Sequence, residues 1–283
     1  MSSPAPTPVS TTSWDRGAIA AVVRRDLRVV RGSKPVVIPM LVVPIVLLVL
    51  IPALTVVSAR LGAAAVAMED IAGMLALLPE DVAARVTADP AAGLTEVTLV
   101  YLLSPLLLIV PLMTASVIAA DAIAGERERR TLEGLLLTPL SDRDLFAAKL
   151  LVSWLPALAV GVGGGIVYAV VADVAAYGLV EGLLFPNLVW ALLVLWLGPA
   201  VAAISLGVTI LVSARVDTVQ EAFQIAGVVV LPVVALVVSQ AVGLLALSPI
   251  LLLAAGAVCW LVAAGVLRAG SRALRRERLG QRL

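Results

Sequence analysis

The chain has 283 residues, 61% of them hydrophobic and 14% charged, with a net charge of +1, whereas soluble domains run at about 45–50% apolar and about 25% charged. Lipid is the solvent this composition fits, and a large soluble domain is excluded. Histidine is absent and the single cysteine, Cys259, lies in an apolar run, which removes imidazole catalysis, His metal sites and disulfide frameworks together.

Residues 1–13 are polar and rich in Pro, Ser and Thr, with no basic and apolar regions of a signal peptide, so they read as a disordered tail. From Trp14 to Lys34, Ile19, Val22, Val23, Leu27 and Val30 fall on one helical face and Arg24, Arg25, Arg28 and Arg31 on the other. That pattern predicts an amphipathic helix lying in the membrane interface. Six apolar stretches follow, at about 35–57, 97–120, 150–172, 187–212, 222–240 and 249–267, each long enough to cross a hydrocarbon layer of about 30 Å. Prolines inside them (Pro39, Pro44, Pro52, Pro105, Pro111, Pro156, Pro199 and Pro232) predict kinks, which neighbouring helices can accommodate. Gly161, Gly163, Gly164 and Gly165 predict close helix packing and not a phosphate loop, since no GK[ST] follows.

The connection 58–96 is the longest on its side. Its part Leu61–Leu78 is apolar, but Glu69 and Asp70 at its centre argue against a seventh span, and Ile71, Met74, Leu75 and Leu78 fit a short surface helix ended by Pro79. Between spans two and three lies a polar loop, 121–149. Its Glu126/Arg130 and Arg129/Glu133 pairs are four apart, Pro139 breaks the helix, and Ser141 with Asp144 forms a capping-box signature. The expectation is helix, tight turn, helix. A basic tail, 268–283, closes the chain.

In a six-span topology, 18 of the 20 basic residues fall on the side of both termini, and only Arg60 and Arg85 oppose eight acids on the other. Basic residues are retained on the cytoplasmic side, so both termini are expected there. Arginine outnumbers lysine 18 to 2, a bias found in GC-rich prokaryotic genomes, so a prokaryotic plasma membrane is the expected location.

The string GERERRTLEGLLLTPLSDRDLFAAKLL closely resembles the segment after the second span in permeases of the type-2 ABC exporter superfamily. Gly125, Glu126, Glu128, Thr131, Leu132, Glu133, Leu135, Leu136, Thr138, Pro139, Leu140, Ser141 and Lys149 match its pattern, while Arg130, Asp144 and Ala148 depart from it. RDLRVVRGSK resembles the family's amphipathic helix before span one, and SARVDTVQEAFQ its loop between spans four and five. The resemblance implies an all-α membrane fold in which two permease subunits pair, as a homodimer or a paralogous heterodimer, each on a cytoplasmic ABC ATPase. Nucleotide-driven closure of the ATPases then moves the spans.

On this reading Glu126, Arg127, Glu128, Arg129, Arg130 and Glu133 form an ion-pairing docking surface with Thr131, Thr138, Pro139 and Leu140 beside them and Leu132, Leu135 and Leu136 as apolar anchors; Arg215, Asp217 and Glu221 form a weaker second contact. The chain has no GxxxxGK[ST], so it is expected to carry no cofactor and no catalytic site, with ATP and Mg on the partner ATPase. Membrane lipid is the remaining partner; nucleic acid is not. The resemblance implies a substrate path between the two subunits along spans two and five, where Tyr101, Ser104, Thr114, Ser116 and Gln224 are the polar residues; an ordinary interhelical hydrogen bond is the favoured reading of each.

Rival readings fare less well. An intramembrane protease lacks a base for Ser104, Ser116, Ser153 or Ser205, and a secondary transporter or channel would bury ionisable groups along its path. A non-transporting membrane subunit and a sodium-exporting permease remain as alternatives. Acid-free spans favour a hydrophobic or amphipathic substrate over a bare cation, whose desolvation needs carboxylates or many carbonyls.

Overall fold

The structure is a computed structural model that describes residues 16–32, 34–62, 80–128, 142–213, 215–216, 218–241 and 248–273. Among these residues it is helical apart from short turns and one isolated bridge between Tyr177 and Val180. Helix α1 is Arg16–Gly32, α2 covers 34–60, α3 is Glu80–Ala88, α4 covers 90–128, α5 is Asp142–Ala176, α6 covers 188–213, α7 covers 219–241 and α8 is Pro249–Ala273. Six stretches are long and apolar enough to cross a membrane: Met40–Arg60, Pro90–Ala122, Asp144–Ala176, Leu188–Ser213, Val219–Leu236 and Pro249–Arg272. The six expected spans are all present, and α1 occupies the stretch expected to be amphipathic. The surface helix expected near Ile71 lies outside the described residues.

Helix starts are set by local chemistry. Asp89 Oδ1 accepts from the amides of Ala91 and Ala92 ahead of α4, with Pro90 in the first turn, where its missing N–H costs nothing. Asn187 caps α6 through the Trp190 amide, Thr218 caps α7 through the Glu221 amide, and Ser248 caps α8 through the Leu251 amide.

The helices outrun the apolar stretches. Helix α4 starts at Pro90, seven residues inside the connection expected to be a loop. Thr95 there bonds the Ala91 carbonyl, and Glu96 is held by a two-pronged pair with Arg85 of α3 at 2.9 and 3.0 Å. Those partners let the helix carry polar residues beyond the hydrocarbon.

Burial divides the spans into two classes. In α4 and α6, 72% and 61% of the apolar window is buried, against 17–22% in the other four, so these two form the centre and α2, α5, α7 and α8 surround them. Small residues let the helices close: Ala115, Ala119, Ala157 and Ala202 are buried together with Leu206 and Ile210. The glycine cluster of α5 works the same way. A Cβ at Gly161 would stand 2.9 Å from Pro111, one at Gly164 2.7 Å from Leu48 and one at Gly165 2.7 Å from Val194, whereas Gly163 faces open space. Close packing, as expected, accounts for three of the four.

Proline chemistry explains the irregular turns. A proline ring clashes with the carbonyl four residues earlier. For Pro52, Pro105, Pro111, Pro199 and Pro232 that earlier residue lies in the π turn Val46–Leu50, the π turn Thr98–Leu102, the 3-10 turn Ser104–Leu108, the π turn Leu193–Leu197 and the 3-10 turn Gly227–Val230 respectively. Widening or tightening one turn moves the obstructing carbonyl aside. Pro156 sits inside the regular helix α5 without such a turn.

Candidate functional site

At the end of the bundle that carries α1, the loop between α4 and α5 is rooted in buried charge. Asp121, Asp144 and Lys149 are only 5%, 7% and 3% exposed, and each is engaged with a partner. Buried ions persist only when compensated, so these residues fix the two helix ends from which the loop departs. Helix α4 ends at Glu128, placing Glu126 and Arg127 on its last turn. Arg129, Arg130, Thr131, Leu132, Glu133, Leu135, Leu136, Thr138, Pro139 and Leu140 lie outside the described residues, as does Asp217. Arg215, between α6 and α7, and Glu221, in the first turn of α7, are exposed at the same end. Phe223 of α7 packs against the buried cluster of Val117, Ile118 and Val152 and against the one that holds Ala120, Ala124 and Val216, which ties that second contact segment to the root of the loop.

The five residues expected along a substrate path are not gathered at one place. Ser104 is buried, and its hydroxyl donates to the Leu99 carbonyl at 3.0 Å; the Tyr168 hydroxyl of α5 donates to the same carbonyl at 2.6 Å. Ser116 is buried against Ser205 of α6, whose hydroxyl donates to the Leu112 carbonyl at 3.0 Å and therefore accepts from Ser116. Ser104 thus bonds within α4, whereas the Ser116–Ser205 pair joins α4 to α6. Thr114 is 2% exposed and lines a small gap between α2 and α4 with Met40, Pro44 and Met113. Gln224 is exposed on α7 near the α1 end. Tyr101 lies toward the other end, half-buried.

Tyr101 borders a concavity of about 600 Å³, open at the end opposite α1. Arg85, Glu96 and Glu181 stand in its walls, with Asn187 and Val189 at the head of α6. Its rim is built by the turn after α5. Gly178 and Gly182 take φ of +74° and +81°, which L side chains rarely adopt, and Asp173 Oδ1 accepts from the amides of Leu184 and Phe185 at 2.8 and 3.2 Å. Arg60 closes the neighbouring edge by donating to the carbonyls of Ala175 and Tyr177 at 3.0 and 2.6 Å.

Sequence reasoning missed Tyr168 and Ser205, which complete the polar contacts of α4. Ser205 had been weighed only as a nucleophile lacking a base. Its small neighbours Ala202, Ala203 and Gly207 were the available signal, because close helix approach in lipid is where a lone hydroxyl finds a partner.

Compared with known families, residues 80–261 match the ABC-2 family transporter protein domain. The chain belongs to the ABC-2 family of transporter proteins. No curated protein matches it. The matched region takes in spans two to five and the first half of span six, the loop root with its buried charges and the 600 Å³ concavity; α1 and α2 precede it. An ABC-2 protein with six membrane-crossing helices is a multi-pass membrane component of an ABC transporter, a permease, and such permeases generally work with ATPase subunits and are not themselves catalytic.

Proposed function

We propose that this ABC-2 permease is the membrane subunit of an exporter that moves a hydrophobic or amphipathic substrate. It pairs with a second permease subunit and is driven by two cytoplasmic ATPases that hold the ATP and Mg. Both termini are cytoplasmic, in a prokaryotic plasma membrane, and the loop between α4 and α5 docks on the ATPase through Glu126, Glu128, Glu133 and the arginines around them. The observation that carries this reading is the family match across the polar loop, spans two to five and the first half of span six.

The state of the carbonyls beside the prolines supports the substrate class. A bare sodium ion in an acid-free span would need several free carbonyls to replace its water. In the π turn before Pro105, the Leu99 carbonyl already accepts from two hydroxyls, and the Pro199 carbonyl accepts from the Trp154 indole at 3.2 Å. An amphipathic molecule needs no such cage and gains roughly 25 cal/mol for each Å² of apolar surface withdrawn from water. Reconstitution with the cognate ATPase in sealed vesicles tests this, following radioactive sodium and lipophilic compounds side by side. ATP-dependent efflux of a lipophile, with hydrolysis stimulated by it, is expected. Sodium movement without lipophile transport favours the sodium exporter, and failure of any ATPase to co-purify favours a non-transporting subunit.

A further inference from the structure

We infer that the exposed face of α1 is a binding surface for the headgroups of anionic phospholipids. This rests on the orientation proposed above, which puts α1 on the inner leaflet. Depth comes from packing: Val23 lies against the buried cluster of Val117 and Ile118 of α4 and Val152 of α5, against which Met40 of α2 also packs. Val117 and Val152 are near the α1-side ends of their spans, so this apolar anchor holds α1 at the boundary between acyl chains and headgroups. The exposed positions of α1 are Gly17, Ala20, Ala21, Arg24, Arg25, Arg28 and Gly32, spaced three or four apart along one face. Among the described side chains of this face, those beside the arginines are small: Gly17, Ala20, Ala21 and Gly32.

Charge identifies the occupant. Residues 16–34 hold six basic side chains against one acid, Asp26. Among the described residues Arg28 makes no ion pair, and Arg24 spends only its Nε, on the Ala20 carbonyl at 3.2 Å. Their guanidinium forks are therefore available, one helical turn apart, at the level of lipid phosphates, which they bind in two-pronged fashion. The cytoplasmic leaflet is the one rich in anionic lipid. Helix α1 packs on three spans, so a headgroup held there bears on α2, α4 and α5 together.

The test is lipid retention by the purified full chain in detergent, read by native mass spectrometry during titration with phosphatidylglycerol and phosphatidylcholine. Wild type should retain phosphatidylglycerol preferentially. R24Q/R28Q should weaken that retention about thirtyfold, two residues at roughly a factor of five each, and R24K/R28K should recover part of it. Equal retention of both lipids by wild type overturns the proposal, and that comparison stands even if a variant fails to fold. Unchanged preference in a folded R24Q/R28Q protein also overturns it, as does loss of ATPase co-purification with lipid retention intact, which would assign the face to a protein. Sidedness plays no part in micelles, so a negative result leaves the orientation standing, and a wrong orientation appears separately in thiol labelling.

Discussion

Two glycines of α5, two residues apart, should respond to alanine with opposite signs. At Gly165 a Cβ would stand 2.7 and 3.0 Å from the two methyls of Val194, a side chain 6% exposed in the rigid π turn of α6. Overpacking of that kind costs about 1–3 kcal/mol. At Gly163 the same methyl meets nothing within 4 Å, so only the helix preference for alanine acts, worth roughly 0.5–1 kcal/mol in its favour. The two variants should therefore differ by about 1.5–4 kcal/mol. Trp190 donates its indole N–H to the Gly165 carbonyl at 3.1 Å, so tryptophan fluorescence during denaturation in detergent reports on this contact. Expected is a lower midpoint for G165A and an unchanged or higher one for G163A. Equal shifts, or a G165A protein as stable as wild type, would refute this account of the glycine cluster.

Three further outcomes can be checked. With Cys259 replaced by Ser, single cysteines at Arg85 and Arg130 should label with a membrane-impermeant thiol reagent from opposite sides. Glu133→Ala should leave the protein inserted and paired while lowering transport and ATPase association, measured as flux and complex yield; unchanged values of both would remove the docking role. Ser205→Ala should cost about 0.6–1.7 kcal/mol, the range for interhelical hydrogen bonds in lipid, with unaltered transport, because Ser205 joins α6 to Ser116 and the Leu112 carbonyl; altered substrate preference would instead put Ser116 on the substrate path.

The spans were legible because lipid imposes one demand on about twenty consecutive residues at a time. Helix ends were less so. Glu96 marked the end of an apolar stretch but not of a helix, since its partner Arg85 is eleven residues away in sequence and became visible only when α3 folded beside α4. The prolines announced where helices would be irregular, and Pro156 shows that the rule lacks force where a long helix stays regular around it. The polar loop was legible through its motif, yet its buried root was not: Asp121 and Lys149 look like ordinary flanking charges until burial is known. The substrate-path candidates rest on the spans that the family resemblance implies and on polarity, and polarity does not distinguish a hydroxyl facing a cavity from Ser104, which is turned back on its own helix.

The π turns have a consequence for anyone scanning these helices residue by residue. A regular helix advances about 100° per residue, and a π turn amounts to inserting one residue. Tolerance to substitution along α6 should thus repeat every three to four positions from Leu188 to Leu192, slip phase across Leu193–Leu197, and resume from Gly198 rotated by about 100°. A single helical wheel drawn through the whole of α6 would assign the wrong face to half of it.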